Sequence, residues 1–239
     1  MPNWVKTTLE FSGDQEVINQ LFKKIQTIEE GGETSYIDFE KIIEMPESLK
    51  ITSGSSVDLG IEILKYKNTG EDSSIKEKLK HPWVVKEGIT SVDEFIEHVL
   101  EKKMVSLEES EIAISNIENY GSKDWYDWSV NNWGTKWNAS DSYVDGNTLH
   151  FQTAWSVPEP VLIKLSELFP KINILVKFAD EDIGSNCGEF EILNGQIIRF
   201  KEYGGIEACE LWGYDPAEYF PDIFRDRKIN QILDDGESK

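Results

Sequence analysis

Apolar residues recur at every second position in several stretches of the chain and at helical spacing in others. Val5, Thr7, Leu9 and Phe11 fall on one side of residues 4–11, with Trp4, Lys6, Thr8 and Glu10 on the other, which predicts a half-buried strand. Ser12-Gly13-Asp14 then turns into a run where Val17, Ile18, Leu21, Phe22 and Ile25 form one helical stripe. Gly31-Gly32 ends that unit. Residues 36–45 mix β-branched and charged positions before Pro46 and take no firm assignment. From 47 to 120 the period is mostly helical, broken by loop-forming runs at 53–56 and 68–74. Residues 61–66 read equally as a short helix or a strand. Ser91 and Ser106 each precede a Glu by three residues, the signature of a capping box.

The second half returns to alternation. Asp145-Gly146 predicts a hairpin turn. In the run after it, Leu149, Phe151, Thr153 and Trp155 share a face, with His150, Gln152 and Ala154 opposite. Ser156 opens a third capping box, with Pro158 in the first turn of a helix carrying Val161, Leu162, Leu165, Leu168 and Phe169. Ile172, Ile174, Val176 and Phe178 alternate as a strand, and Asn194-Gly195 joins two more. A strand–helix followed later by strand–strand–helix–strand is the skeleton of an α+β, ferredoxin-like βαββαβ split antiparallel sheet, here with a mostly helical lobe. Helices at 14–26 and 157–169 would cover one sheet face. The expected division is 1–115 (strand–helix unit and lobe), 116–205 (ferredoxin-like domain with a Trp-rich block) and 206–239 (tail). The alternative makes 47–120 an insertion into one composite domain. Trp212, Tyr214, Tyr219, Phe220 and Phe224 predict that the tail docks as far as about Ile232.

Charge narrows the function classes. The 239 residues hold 45 acids against 24 bases, a net −21 spread along the chain. Such a field favours solubility and repels nucleic acid and anionic lipid. Arg occurs only at 199, 225 and 227, a poor supply for phosphate clamps. No apolar run approaches the ~18 residues of a membrane span, and the first residues lack a secretory signal, so a cytoplasmic protein is expected. Cys187 and Cys209 are then expected as free thiols.

Five of the eight tryptophans lie between 125 and 155. As a binding platform, Trp133, Trp137 and Trp155 would be apolar anchors, with Lys136 and Asn138 as polar handles. As a second small core, Trp125, Trp128 and Trp133 would line one helix face, stopped by Gly134-Thr135. The uncovered sheet face would show Trp4, Lys6, His150, Gln152, Asn173 and Lys177, neutral to basic in an acidic chain. RNA-binding split sheets use that face, but here only Trp4 could stack there. No cofactor or metal is expected. The acidic run 179–186 lacks calcium-loop spacing, the histidines at 81, 98 and 150 have no ligand spacing, and no phosphate loop or nucleophile elbow occurs. No catalytic set stands out.

Three stretches taken together carry a resemblance: Met1-Pro2-Asn3-Trp4, the block from Trp125-Tyr126-Asp127-Trp128 through Asn132-Trp133-Gly134-Thr135-Lys136-Trp137-Asn138, and Thr153-Ala154-Trp155-Ser156-Val157-Pro158. The chain resembles the YubB-like family of phage- and plasmid-encoded bacterial proteins, most specifically over 120–200. The resemblance implies a ferredoxin-like domain in the C-terminal part and a mobile-element setting, and it implies no reaction. The expectation is a non-enzymatic protein-interaction module with a host or element-encoded partner. One alternative is an acidic DNA mimic that inhibits a host DNA-binding protein. Another is a small-ligand or nucleotide-binding module, or an enzyme, using the open sheet face with His150 or Cys187.

Overall fold

A computed structural model describes residues 3–28 and 31–222. Contacts divide the chain into two compact units, Met45–Ser129 and the remainder on either side of it.

The flanking unit is built on a six-stranded antiparallel sheet. It begins with β1 (Trp4–Ser12), α1 (Gln15–Ile25) and a two-stranded ribbon of β2 (Thr27–Ile28) and β3 (Thr34–Ser35). After the inserted unit come β4 (Ser140–Asp145), β5 (Thr148–Ala154), α8 (Glu159–Leu168), β6 (Asn173–Asp180), β7 (Cys187–Leu193) and β8 (Gln196–Glu202). The intervening chain carries the helices from α2 (Ser55–Thr69) to α7 (Trp125–Asn132). The sheet order is β4-β5-β1-β6-β7-β8. The first four of these, with α1 and α8, form the ferredoxin-like βαββαβ arrangement, and the β7–β8 hairpin extends one edge. The N-terminal strand therefore sits mid-sheet, between β5 and β6.

The alternation in β1 carries through: Val5, Thr7, Leu9 and Phe11 are buried. Register aligns them with Leu149, Phe151 and Thr153 of β5 and with Ile174, Val176 and Phe178 of β6, all buried. Ile18, Leu21 and Ile25 of α1 and Val161, Leu162 and Leu165 of α8 supply the helical side of the core. Asp14 caps α1 by accepting from the amides of Glu16 and Val17. The expected capping box at Ser156 does not form. Pro158 takes the cap position of α8, and the Ser156 hydroxyl donates instead to the Gly134 carbonyl. The first hairpin turn is one residue later than expected, because Asp145 pairs with Thr148 and leaves Gly146-Asn147 as the loop. Asn194-Gly195 is the β7–β8 turn, both residues at positive φ (50° and 73°).

The inserted unit is helical: α2 (Ser55–Thr69), α3 (Ser73–Lys78), α4 (Pro82–Lys86), α5 (Val92–Glu101) and α6 (Leu107–Tyr120). Residues 61–66 thus resolve as helix. Ile63, Ile75, Val84, Phe95 and Val99 form its core. The capping box at Ser91 is complete, with Glu94 reciprocating. At Ser106 only the hydroxyl's bond from the Glu109 amide is made. The boundary between the units falls within α7 (Trp125–Asn132).

The tail forms α9 (Gly205–Trp212) and α10 (Pro216–Tyr219). Trp212 docks it, its indole donating to the carbonyls of Ala179 (3.1 Å) and Asp180 (3.0 Å) on β6. The expected docking of Phe224 and Ile232 concerns positions outside the described residues.

Candidate functional site

Within the flanking unit, the segment 133–139 is held through the side chains of Trp133, Thr135 and Asn138. The Trp133 indole donates to the Ile43 carbonyl (2.9 Å), and its ring meets Phe39 edge-on at 5.8 Å. Phe39 in turn packs edge-on against Phe151 of β5. Thr135, buried, donates to the Ala154 carbonyl (2.7 Å). Asn138 accepts from the Phe39 amide (2.9 Å) and donates to Asp38 (2.7 Å). Gly134 has φ +77°, and a Cβ there would lie 2.8 Å from Pro160. These bonds fix the loop, with Trp137 exposed and Lys136 half-buried beside it.

Two of the expected contact residues change role. Trp133 is 5% exposed and belongs to the core, so it cannot anchor a partner. A flat indole with one donor fits where an aromatic wall and a carbonyl meet. The Asn138 side chain is committed to Phe39 and Asp38 and is not a handle. Trp128 is also buried.

The remaining residues converge. Trp137 is 37% and Trp155 42% exposed. The Lys136 ammonium lies 4.4 Å from the Trp137 ring centre and 5.1 Å from that of Trp155. It therefore bridges two aromatic faces. Trp4 adjoins Trp137 at 6.2 Å. Trp155 stands at φ +71°, in the left-handed region that favours glycine. Its amide donates to the Asn3 carbonyl (2.9 Å), and its carbonyl accepts from the Asn186 side chain (3.1 Å). These bonds hold the bend at the end of β5, and the bend turns the ring away from the core. Sequence alternation put Trp155 on the core face with Leu149, Phe151 and Thr153; the bend removes it from that series.

The open sheet face is more evenly charged than its expected residues suggest. Lys177 pairs with Glu10, and Arg199 pairs with Glu189 (2.8 Å) and reaches Glu191 (3.7 Å). Asn173 bonds to Glu191. Glu10 comes from β1, Glu189 and Glu191 from β7, and Arg199 from β8. Lys6 lies under the docked tail, 5.8 Å from the Trp212 ring. The face is thus laced with ion pairs and partly covered by α9. A cleft of about 360 Å³ remains, lined by Lys6, Tyr143, His150 and Gln152 among others. His150 stacks on Tyr143 at 4.4 Å and shares a hydrogen bond with Thr8 (3.1 Å). Burial, with Lys6 second, pushes the His150 pKa below its ordinary value, which favours the neutral ring.

Cys187 lies in a different cleft, with Phe178, Phe200 and Tyr203. Its thiol donates to the Tyr203 carbonyl (3.3 Å), and burial, then Glu207, raises its pKa. A raised pKa weakens a nucleophile. Both cysteines are free, and Cys209 is buried. The inserted unit has its own cleft of about 330 Å³, walled by Leu59, Trp83 and Phe95 with Lys78 and His81. Sequence patterning marked none of these as a site, because each sits at ordinary helical spacing.

Comparison with known proteins bears on fold rather than chemistry. Residues 132–218 match the family model described as the ferredoxin-like domain in Api92-like protein. That stretch runs from the end of α7 through β4–β8 to α10. No curated protein matches the chain. Among solved structures, that of a protein api92 from Yersinia pseudotuberculosis is similar at 13% identity, covering 85% of this chain and 99% of that one, with a TM-score of 0.39.

Proposed function

We propose that this chain is a non-enzymatic protein-interaction module whose contact surface is Trp137, Lys136 and Trp155, flanked by Trp4. One observation carries the reading. Trp155 stands at a backbone position that costs a non-glycine residue about 1 kcal/mol, and the bend leaves its ring 42% exposed beside the Lys136 ammonium. With the part-exposed Trp137 and an ammonium lying over both rings, this surface offers two apolar anchors and one orienting charge, the composition of an interface hot spot. The phage or plasmid setting implied by the resemblance makes the partner a host or element-encoded protein, met in the cytoplasm.

The test is affinity capture from host lysate with wild type, Trp137→Ala and Trp155→Asn, read by mass spectrometry. Asn tolerates the left-handed conformation, so the Trp155 variant keeps its fold. The reading expects a partner held by wild type and lost with both folded variants. A partner retained by both would place the contact elsewhere.

A further inference from the structure

The two edges of the sheet are treated differently. At one edge, β4 is flanked by β3, and the Tyr36 amide donates to the Ser142 hydroxyl (2.9 Å). At the other edge, every residue of β8 is exposed, including Ile197, Ile198 and Phe200 at 41%, 54% and 59%. No described strand flanks its outer side. An edge strand whose outward N–H and C=O groups no described strand pairs is a template for another strand.

Register shows what the edge presents. The Tyr203 amide donates to the Cys187 carbonyl, so the pair 187/203 is hydrogen-bonded. By antiparallel alternation, 199 and 201 also bond to β7, while the N–H and C=O of Phe200 point to the side that no described strand flanks. Charge follows a pattern along two rows of the open face. One row runs Thr8, Lys177, Glu189, Lys201, and the next Glu10, Leu175, Glu191, Arg199. In both, a glutamate on β7 stands beside a cation on β8, and the row ends on that cation. Opposite charges across strands are favourable and like charges are not. On the helix side, Phe200 stands at the same edge, next to Phe190.

A second copy centred on Arg199 or Phe200 fits poorly. Two β8 strands paired antiparallel about Phe200 would set Arg199 against Lys201, and paired about Arg199 would set the two guanidiniums together. We infer that β8 is a docking edge for an extended segment of a partner protein in which acidic residues alternate with an apolar one, acids facing Arg199 and Lys201 and the apolar residue beside Phe200. β7, with Glu189-Phe190-Glu191, already presents that pattern to the inner side of β8. This surface is separate from the tryptophan cluster, and the inference stands without it.

The test uses a fluorescein-labelled peptide with the sequence of residues 188–193, Gly-Glu-Phe-Glu-Ile-Leu, and a control with both glutamates replaced by lysine. Fluorescence anisotropy with the full chain should show saturable binding of the acidic peptide, at least tenfold tighter than the control. Phe200→Pro removes the outward N–H without removing a bond to β7 and should weaken binding at least tenfold. Phe200→Val keeps that N–H and should retain binding. Arg199→Gln with Lys201→Gln should erase the difference between the peptides. No saturable binding, equal binding of both peptides, or unchanged binding to folded Phe200→Pro would overturn the inference. So would a dimer seen by sedimentation and lost in Phe200→Pro, which would assign the edge to a second copy.

Discussion

Trp133 and Trp137 lie four residues apart and should respond oppositely to truncation. Trp133 is 5% exposed, and a buried tryptophan removes roughly 200 Å² from water, about 5 kcal/mol at about 25 cal/mol per Å². Trp133→Ala gives up most of that and opens a cavity beside Phe39, so a loss of about 3–5 kcal/mol is expected. Trp133→Phe keeps most of the ring but removes the donor to the Ile43 carbonyl, a bond worth about 1 kcal/mol. With the smaller ring volume, the loss should be about 2 kcal/mol. Trp137→Ala removes a part-exposed ring and its contacts with Lys136 and Trp4, and should cost at most about 1 kcal/mol. With two compact units, a global melt would mix two transitions. Native-state hydrogen exchange read on peptides spanning β1 and β5 reports the affected sheet directly. Opening free energies there should fall in the order Trp137→Ala, Trp133→Phe, Trp133→Ala. If Trp133→Phe shifts them by less than about 0.5 kcal/mol, or Trp137→Ala costs as much as Trp133→Ala, the assignment of Trp133 to the core is refuted.

Other perturbations test the remaining parts. Gly60→Ala should destabilise the inserted unit by about 1–3 kcal/mol despite the better helix propensity, because the added Cβ would fall 1.9 Å from the Ser110 hydroxyl; exchange on α2 and α6 peptides checks it. Ser91→Ala should cost about 1 kcal/mol in the same unit by removing the capping-box acceptor, and an unchanged exchange profile in α5 would count against it. His150 should titrate below the ordinary histidine value by NMR, and Lys6→Met should move it upward. Because its folded pKa is depressed, its contribution to stability is present above the unfolded value near 6.5 and is lost as pH falls through that value toward the folded one. A His150 midpoint at or above the unfolded value would contradict this.

The βαββαβ skeleton was legible because it rests on local signals. Period-two alternation marks a strand with one buried face wherever it occurs, and β1, β5 and β6 each carry it over five or more residues. The helical stripes of α1 and α8 and the turn at Asn194-Gly195 are equally local. The Ser156 box failed because Pro158 offered a competing start and the hydroxyl found a carbonyl 22 residues away in sequence. What lies between sequence-distant residues was not legible. The tryptophan block has one composition but three fates: Trp133 faces Phe39 and is core, Trp137 faces outward, and Trp155 leaves its strand at positive φ. The charge of the open face was misjudged for the same reason, since the glutamates that pair with Lys177 and Arg199 come from neighbouring strands. Sequence by itself determined the elements and which face of each is apolar, because these depend on residues two to four positions apart. Only the tertiary structure decided strand neighbours, tryptophan exposure, ion pairing and which sheet edge no described strand flanks, because each depends on which distant segment the chain brings alongside.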